Sequence, residues 1–104
     1  MNVVIIDRTE EVPQAIKVYV KRKLTKLARH LDVITAAEVE FDQDSKRSQE
    51  PIQTVDIALR MVGTDLLGPR AHEQGRVLTA VVDLALDKID REVVQLKERL
   101  KDHT

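Results

Sequence analysis

A long amphipathic pattern towards the C-terminus is the strongest structural signal in the sequence. From about Val77 to Lys101, apolar residues recur every three or four positions and form one helical stripe: Leu78, Val82, Ala85, Ile89, Val93, Leu96 and Leu100. An earlier helix is predicted by a second stripe: Ile16, Val20, Leu24, Leu27 and Leu31. A chain of 104 residues builds one core. Both stripes must therefore be buried against the same partner layer.

The sequence also indicates where the earlier helix begins and ends. Thr9 is a suitable N-cap, and Glu10 and Glu11 fall where the helix dipole favours acidic groups. Pro13 fits a first helical turn, where its missing N–H costs nothing. We therefore expect this helix to begin near residue 10. The apolar stripe predicts its end around residues 31–32.

Four segments have the composition or period of strands and predict the partner layer. Residues 2–7 carry a β-branched run that we expect to be buried on both faces or nearly so. Residues 37–41 and 54–61 alternate apolar with polar side chains, as in strands with one face in solvent. Residues 66–73 form a weaker strand. Pro69 within it favours an edge of the sheet, because proline donates no ladder hydrogen bond.

The predicted order is strand, helix, three strands, helix. Residues 42–51 are expected to form an exposed connection, and residues 62–65 a turn. This order predicts an α+β fold, β-α-β-β-β-α, in which a four-stranded, mostly antiparallel sheet carries two helices on one face as a two-layer sandwich. Residues 1–104 are predicted to be a single domain. Tyr19 and Phe41 are the only aromatic residues, so aliphatic side chains must build the core.

Composition excludes several classes of function. The chain has no cysteine, which excludes disulfides and thiolate chemistry and fits a reducing compartment, so we expect a cytoplasmic protein. His30, His72 and His103 are the only histidines, and no known catalytic or metal-binding motif is present. We therefore expect no enzyme, no metal site and no cofactor. No segment has the length and hydropathy of a signal peptide or a membrane span.

Positive charge is concentrated on the earlier helix, although the formal net charge of the chain is only −1. Between Val12 and Leu31 there is no acidic residue, and the basic residues are numerous: Lys17, Lys21, Arg22, Lys23, Lys26, Arg29 and His30. On a helix they cover the side opposite the apolar stripe. Such a surface attracts polyanions by neutralising phosphates and releasing counterions. An ordinary solvated face is also rich in lysine, but it usually interleaves glutamate. The residues alone leave both interpretations open.

The later helix carries charges of both signs. One flank of its stripe holds three cations: Lys88, Arg91 and Arg99. The other flank holds cations and carboxylates together: Lys97, Lys101, Asp83 and Asp90. The first group is expected to be free to bind a partner. The pattern as a whole is more typical of a solubilising face.

Two segments resemble a known protein family. Residues 14–27, QAIKVYVKRKLTKL, are similar to the first helix of the ribosome hibernation-promoting factors, also called the sigma-54 modulation or ribosome-associated inhibitor family. Residues 80–91, AVVDLALDKIDR, are similar to the second-helix signature of that family. The resemblance covers nearly the whole chain. It implies a fold related to the double-stranded RNA-binding domain with an extra first strand.

The resemblance also implies a partner, the small ribosomal subunit and its rRNA. The family occupies the groove between head and body where messenger and transfer RNA lie, which blocks translation and protects idle ribosomes in stressed or stationary cells. Basic positions of the family match at Lys17, Lys21, Lys23, Lys26, Lys88, Arg91 and Lys97. The charge pattern adds three more residues to the predicted RNA-binding set: Arg22, Arg29 and Arg99.

This sequence departs from the family pattern in the second helix. Val94 and Gln95 stand where the family usually has basic residues, which weakens this helix as an RNA contact. The sequence ends at Thr104, before the linker and the C-terminal dimerisation domain of the long family members. We therefore do not expect this chain alone to pair two ribosomes.

Two other functions fit the same residues. The first is a protein-interaction or transcription-modulating module that does not bind the ribosome. The near-zero net charge and the outward position of Val94 favour this alternative. The second is a free binder of double-stranded RNA, which the implied fold permits.

Overall fold

The computed structural model describes residues 1–44, 50–62 and 67–101. Its elements follow the predicted order: β1 (Asn2–Asp7), α1 (Gln14–Ala28), β2 (Ile34–Asp44), β3 (Ile52–Met61), β4 (Leu67–Gly75) and α2 (Leu78–Lys101). The strands form one sheet in the order β1-β2-β3-β4. β1 is parallel to β2, and the other two pairings are antiparallel. The predicted α+β fold is confirmed.

The two helices run in the same direction. β1 and β2 are parallel neighbours, so α1, which connects them, must run back antiparallel to both. β4 has the direction of β2, because each antiparallel pairing with β3 reverses the strand. α2 follows β4 closely and packs back along β4 and β3. Both helices are therefore antiparallel to β2, and they contact each other.

The core lies between the helices and one face of the sheet. The sheet supplies alternate residues of each strand: Val3, Ala37, Val39, Phe41, Val55, Ile57, Leu59 and Ala71. The helices supply residues of the predicted stripes together with Val81: Val20, Leu24, Val82, Ala85, Ile89 and Val93. Leu100 was predicted in the stripe but is 38% exposed, since it lies on the last turn of α2. The predicted aliphatic core is confirmed, with Phe41 as its aromatic member.

One edge strand of the sheet agrees with its prediction and the other does not. β4 is an edge strand, as Pro69 predicts. β1 is the other edge, and the expected burial on both faces was wrong: Val3 is 9% exposed, whereas Val4 on the opposite face is 46% exposed. Helices cover only one face of this sheet, so β-branched residues of β1 remain in solvent on the other.

The start of α1 also differs from its prediction. The helix begins at Gln14, with Pro13 in the N-cap position and no side-chain cap. The preceding residues instead form a turn around Asp7, which accepts hydrogen bonds from the backbone N–H groups of Thr9, Glu10 and Val12 at 3.0, 3.0 and 3.1 Å. Glu10 has a φ of 59°, a left-handed conformation that cannot continue into a helix. Helical entry near residue 10 was therefore wrong.

Other helix and strand boundaries differ from the predicted ones by a few residues. α1 ends at Ala28 rather than at residues 31–32. Residues 42–44 of the predicted connection belong to β2, and residues 45–49 lie outside the described part of the chain, as do residues 63–66 around the predicted turn. Neither described helix is long and apolar enough to cross a membrane.

Candidate nucleic-acid interface

The basic residues of α1 are held outward by the buried side of the helix. Val20 and Leu24 are almost completely buried, which fixes the rotation of the helix against the sheet. The opposite side of α1 is exposed and carries five cations: Lys21, Arg22, Lys23, Lys26 and Arg29. The predicted outward orientation of these residues is confirmed.

Lys17 occupies a different environment from the other cations of α1. Its Nζ lies 3.3 Å from Oδ2 of Asp7, and the Asp7 side chain is only 8% exposed. Burial by itself would raise the pKa of Asp7, but the hydrogen bonds from Thr9 and Val12 and the contact with Lys17 together hold it below the ordinary value of 3.8. Lys17 thus ties the first turn of α1 to the end of β1.

The side of α1 opposite its buried residues forms a shallow cationic depression, which at Lys26 reaches the groove shared with α2. It is lined by Val18, Lys21, Arg22, Thr25, Lys26 and Arg29, and we call it the outer flank. Within the described residues, no carboxylate lies within 4.0 Å of the charged nitrogens of its four cations. Val18, which lines the same depression, is 43% exposed. The outer flank therefore presents positive charge around a small apolar patch.

The side of α1 that faces α2 forms a groove with opposite charges on its two walls. The α1 wall carries three basic residues: Lys23, Lys26 and His30. The α2 wall carries three carboxylates: Asp83, Asp87 and Asp90. The remaining lining comes from Tyr19, Leu27 and Leu86. We call this the interhelical groove. Its carboxylates offset the field of the cations opposite them.

Tyr19 links the two helices across the interhelical groove. Its hydroxyl donates a hydrogen bond of 3.0 Å to Oδ1 of Asp83. This hydrogen bond, together with burial and the negative charge of Asp83, raises the pKa of Tyr19 above 10.0. Lys23 Nζ lies 5.6 Å from the centroid of the same ring, within cation–π range. Lys23 is therefore less available to an outside ligand than the cations of the outer flank.

The predicted cations of α2 do not share one surface. Arg91 Nη2 lies 3.1 Å from Asp87 Oδ2 in an (i, i+4) ion pair. The prediction that Arg91 is free to bind a partner was therefore wrong. Lys88 and Arg99 turn towards β4, on the side of α2 away from α1. Lys97 is exposed, and so is Val94, at 49%. The structure thus divides the predicted RNA-binding residues among several surfaces.

The face of the sheet that carries no helix has most of its charges paired. Arg8 bonds Glu40, Arg60 lies 3.5 Å from Glu38, and His72 Nδ1 lies 2.5 Å from Asp56 Oδ1. Across residues 1–44, 50–62 and 67–101, no three histidines or carboxylates are grouped so that they could hold a metal ion. Of the described surfaces, the outer flank of α1 is the most strongly and most uniformly cationic.

Comparison with known families agrees with the resemblance in the sequence. Residues 3–101 match the family described as Sigma 54 modulation protein / S30EA ribosomal protein. The chain belongs to this family. The S30EA family consists of ribosome-associated factors and is not a known class of enzyme.

Relatives in the S30EA family align along most of the chain. A ribosome hibernation promoting factor from Azotobacter vinelandii is 29% identical over 99 residues, which cover 95% of this chain and 85% of the relative. A ribosome hibernation promotion factor from Deinococcus radiodurans is 32% identical over 92 residues, or 88% of this chain. The chain spans about half of that relative, 47% of its length.

Two solved structures have the same fold. The N-terminal domain of Protein Y from Thermus thermophilus has a TM-score of 0.72 and 29% identity, with 92% of this chain and 99% of that chain covered. A ribosomal subunit interface protein from Coxiella burnetii has a TM-score of 0.75 and 16% identity, with 94% and 99% covered. These structures support the S30EA fold. Which side chains bind RNA stays a prediction.

Proposed function

We propose that this S30EA-family protein binds the small ribosomal subunit in the channel for messenger and transfer RNA and keeps the ribosome inactive. Its partner would be the phosphate backbone of rRNA, and its role would be ribosome hibernation under stress or in stationary phase. The names of its relatives, ribosome hibernation promoting factors, support this role. The contact itself is proposed from the residues described above.

The observation that carries the proposal is the outer flank of α1. Four cations lie there with no described carboxylate within ion-pair distance, on a helix whose rotation is fixed by buried Val20 and Leu24. Cations without internal partners break no ion pair when they bind phosphate, whereas paired ones must first give up a partner. Release of counterions from RNA then drives association without any base-specific contact.

A salt series of cosedimentation with purified small ribosomal subunits tests the proposal. Binding should weaken steeply as salt rises, with the logarithm of the association constant falling linearly with the logarithm of salt concentration. The double variant Lys21→Gln with Arg22→Gln should lower affinity about 25-fold at 0.1 M salt, since each lost phosphate contact contributes roughly 0.7 to 0.9 to that slope.

The matched control removes two cations from elsewhere. Arg60→Gln with Arg76→Gln also removes two positive charges, but both residues lie outside the helical face and pair with Glu38 and Glu50. This control should bind nearly as tightly as the unmodified protein. Folded protein that does not sediment with the subunit at any salt concentration would discard the proposal.

The competing function, a protein-interaction or transcription-modulating module, has one observation in its favour. Leu84 and Val94 of α2 are 53% and 49% exposed, so a protein that docked on the exposed side of α2 would meet apolar side chains there. Under this alternative, Leu84→Ser with Val94→Ser would abolish partner binding while ribosome association would be absent throughout. Association that survives this double change and fails with the outer-flank variant favours the ribosome.

A further inference from the structure

A cleft on the far side of α2 carries cations that the outer flank does not include. It lies between the C-terminal half of α2 and the sheet edge, and it is lined by Arg70, Lys88, Glu92, Arg99, Met61 and Leu96. We call it the β4 cleft. Arg70 comes from β4, so no pattern along either helix could reveal it. The β4 cleft and the outer flank are separated by α2 and the interhelical groove.

A bulge in β4 sets the rim of the β4 cleft. Arg60 of β3 pairs with Leu67 and Ala58 with Arg70, so β4 contains one residue more than β3 between these pairs. Gly68 permits the close approach of the two strands, because a Cβ there would lie 3.0 Å from the Leu59 carbonyl oxygen. Bulges bend an edge strand and redirect side chains. Arg70 therefore stands at the rim, where it also borders the helix-free face of the sheet near Glu38, Glu40 and Asp56, with none of them within 4.0 Å of its guanidinium.

The charges of the β4 cleft are unbalanced. Three cations line it, and Glu92 is the only acidic residue among the described residues that line it. None of the three cations has a carboxylate within 4.0 Å among the residues that the structure describes. The cleft thus combines positive charge with the apolar side chains of Met61 and Leu96, and within the described part of the chain no ion pair would break when an anion binds.

The spacing of the cations selects a long anion. Lys88 and Arg99 are eleven residues apart, which places them on the same side of α2 and about 16 Å apart along its axis. A single phosphate group could contact both only if the two side chains extended fully towards each other. A nucleic-acid backbone, with phosphates repeated along its length, can contact Lys88, Arg99 and Arg70 together.

We propose that the β4 cleft is a second binding site for an RNA backbone, in which Arg70, Lys88 and Arg99 contact phosphates of a segment distinct from the one on the outer flank. This inference rests on the proposed function and extends it. The protein then holds two RNA segments at once, one on the exposed side of α1 and one between α2 and β4. Such bivalent contact gives an affinity that neither surface provides alone.

Salt-dependent binding of the full chain to purified small subunits tests the second site. The triple variant Arg70→Gln, Lys88→Gln, Arg99→Gln should bind about a hundredfold more weakly at 0.1 M salt, with a salt slope smaller by about 2. The matched control, Arg8→Gln, Arg60→Gln, Arg76→Gln, removes the same charge from residues outside the cleft that pair with carboxylates. It should change affinity less than about threefold. Circular dichroism and thermal melting verify that both variants are folded.

A second arm uses a single-stranded RNA of mixed sequence at low salt, so that the site is tested without the ribosome. The cleft variant should lose affinity there too, while the control should not. If the unmodified protein binds the RNA but no ribosomal subunit, and the cleft variant loses RNA affinity while the control keeps it, the proposed function fails and the cleft stands. If the unmodified protein binds subunits and the cleft variant matches the control in both arms, the second site is refuted and the proposed function stands.

Discussion

The two flanks of α1 carry similar cations in different surroundings. On the outer flank, Lys21, Arg22 and Arg29 have no described carboxylate within ion-pair distance. In the interhelical groove, Lys23 lies over the Tyr19 ring and faces the carboxylate wall of α2. The difference does not come from α1 itself, whose polar side is basic throughout. It comes from α2, which lies parallel to α1 along only one of these flanks.

The neighbouring carboxylates decide how a phosphate would approach. An unpaired cation and a phosphate attract each other, whereas a carboxylate about 10 Å from the same phosphate repels it by about 0.4 kcal/mol in water. Three carboxylates on one wall therefore oppose binding in the groove by roughly 1 kcal/mol. A polyanion is directed to the outer flank, although every cation of α1 attracts it. A repulsive element of this kind contributes to specificity.

The largest expected effect separates the two flanks directly. The triple variant Lys21→Gln, Arg22→Gln, Arg29→Gln should lower affinity for the small ribosomal subunit about a hundredfold at 0.1 M salt, because three phosphate contacts are lost. Lys23→Gln in the groove should lower it only about twofold. Equilibrium binding with labelled protein measures both. Equal losses per charge on the two flanks would remove the distinction between them.

The next effect concerns the anchor on which both flanks depend. Asp7→Asn removes the charge that holds Lys17 and weakens the hydrogen bonds to Thr9 and Val12, which should lower the free energy of unfolding by about 2 kcal/mol at neutral pH. Chemical denaturation measures this loss. Asp32→Asn, at an exposed aspartate beyond the C-terminal end of α1, is the control and should change stability by less than about 0.5 kcal/mol.

The effect of Asp7 should depend on pH with a defined sign. Its pKa is lower in the folded chain than its ordinary value of 3.8, so the unfolded chain binds more protons and stability rises with pH. The contribution of Asp7 is complete above that value and is lost as the pH falls through the lower pKa of the folded state. The difference in the free energy of unfolding between the unmodified protein and Asp7→Asn should therefore shrink below about pH 3.8. A difference that stays constant down to pH 2 would contradict this.

Periodicity predicted the elements of this fold well, because burial on one side imposes it. The stripes of both helices and the alternation of β2 and β3 are consequences of a single buried face, and each was confirmed. The β-branched run of β1 carries no such alternation. It was predicted to be buried on both faces, whereas the strand lies at an edge with Val4 in solvent.

Local turns and contacts between elements could not be predicted in the same way. Thr9 was expected to cap α1 because threonine is a common cap, but Asp7 binds the backbone donors of residues 9, 10 and 12 and delays the helix. Lys23 and Asp83 are 60 residues apart in the chain, and they face each other across the groove only because the two helices pack in parallel. Arg70 belongs to no pattern of basic residues in the sequence, and it lines the same cleft as Lys88 because β4 contains a bulge.

A smaller effect tests the carboxylate wall. Asp90→Asn removes a groove carboxylate that has no described partner and should raise affinity for RNA about twofold, because one repulsive charge is lost. Glu98→Gln, on the exposed side of α2 and outside the groove, is the matched control for net charge. Competition binding with duplex RNA at low salt measures both variants. An equal gain from the two changes would assign the effect to net charge rather than to the wall.

The smallest effect is a shift in the titration of one hydroxyl. Tyr19 is the only tyrosine of the chain, so the absorbance change on phenolate formation reports this residue alone. Its pKa lies above 10.0 because its hydroxyl donates to the Asp83 carboxylate, which stabilises the neutral phenol and repels the phenolate. Asp83→Asn should lower this pKa towards 10.0, whereas Glu98→Gln should leave it unchanged. An identical titration curve for Asp83→Asn and the unmodified protein would mean that the link across the groove does not form in solution. Lys23 and Tyr19 would then be free to move away from the carboxylate wall, and the electrostatic difference between the two flanks of α1 would be smaller than the structure indicates.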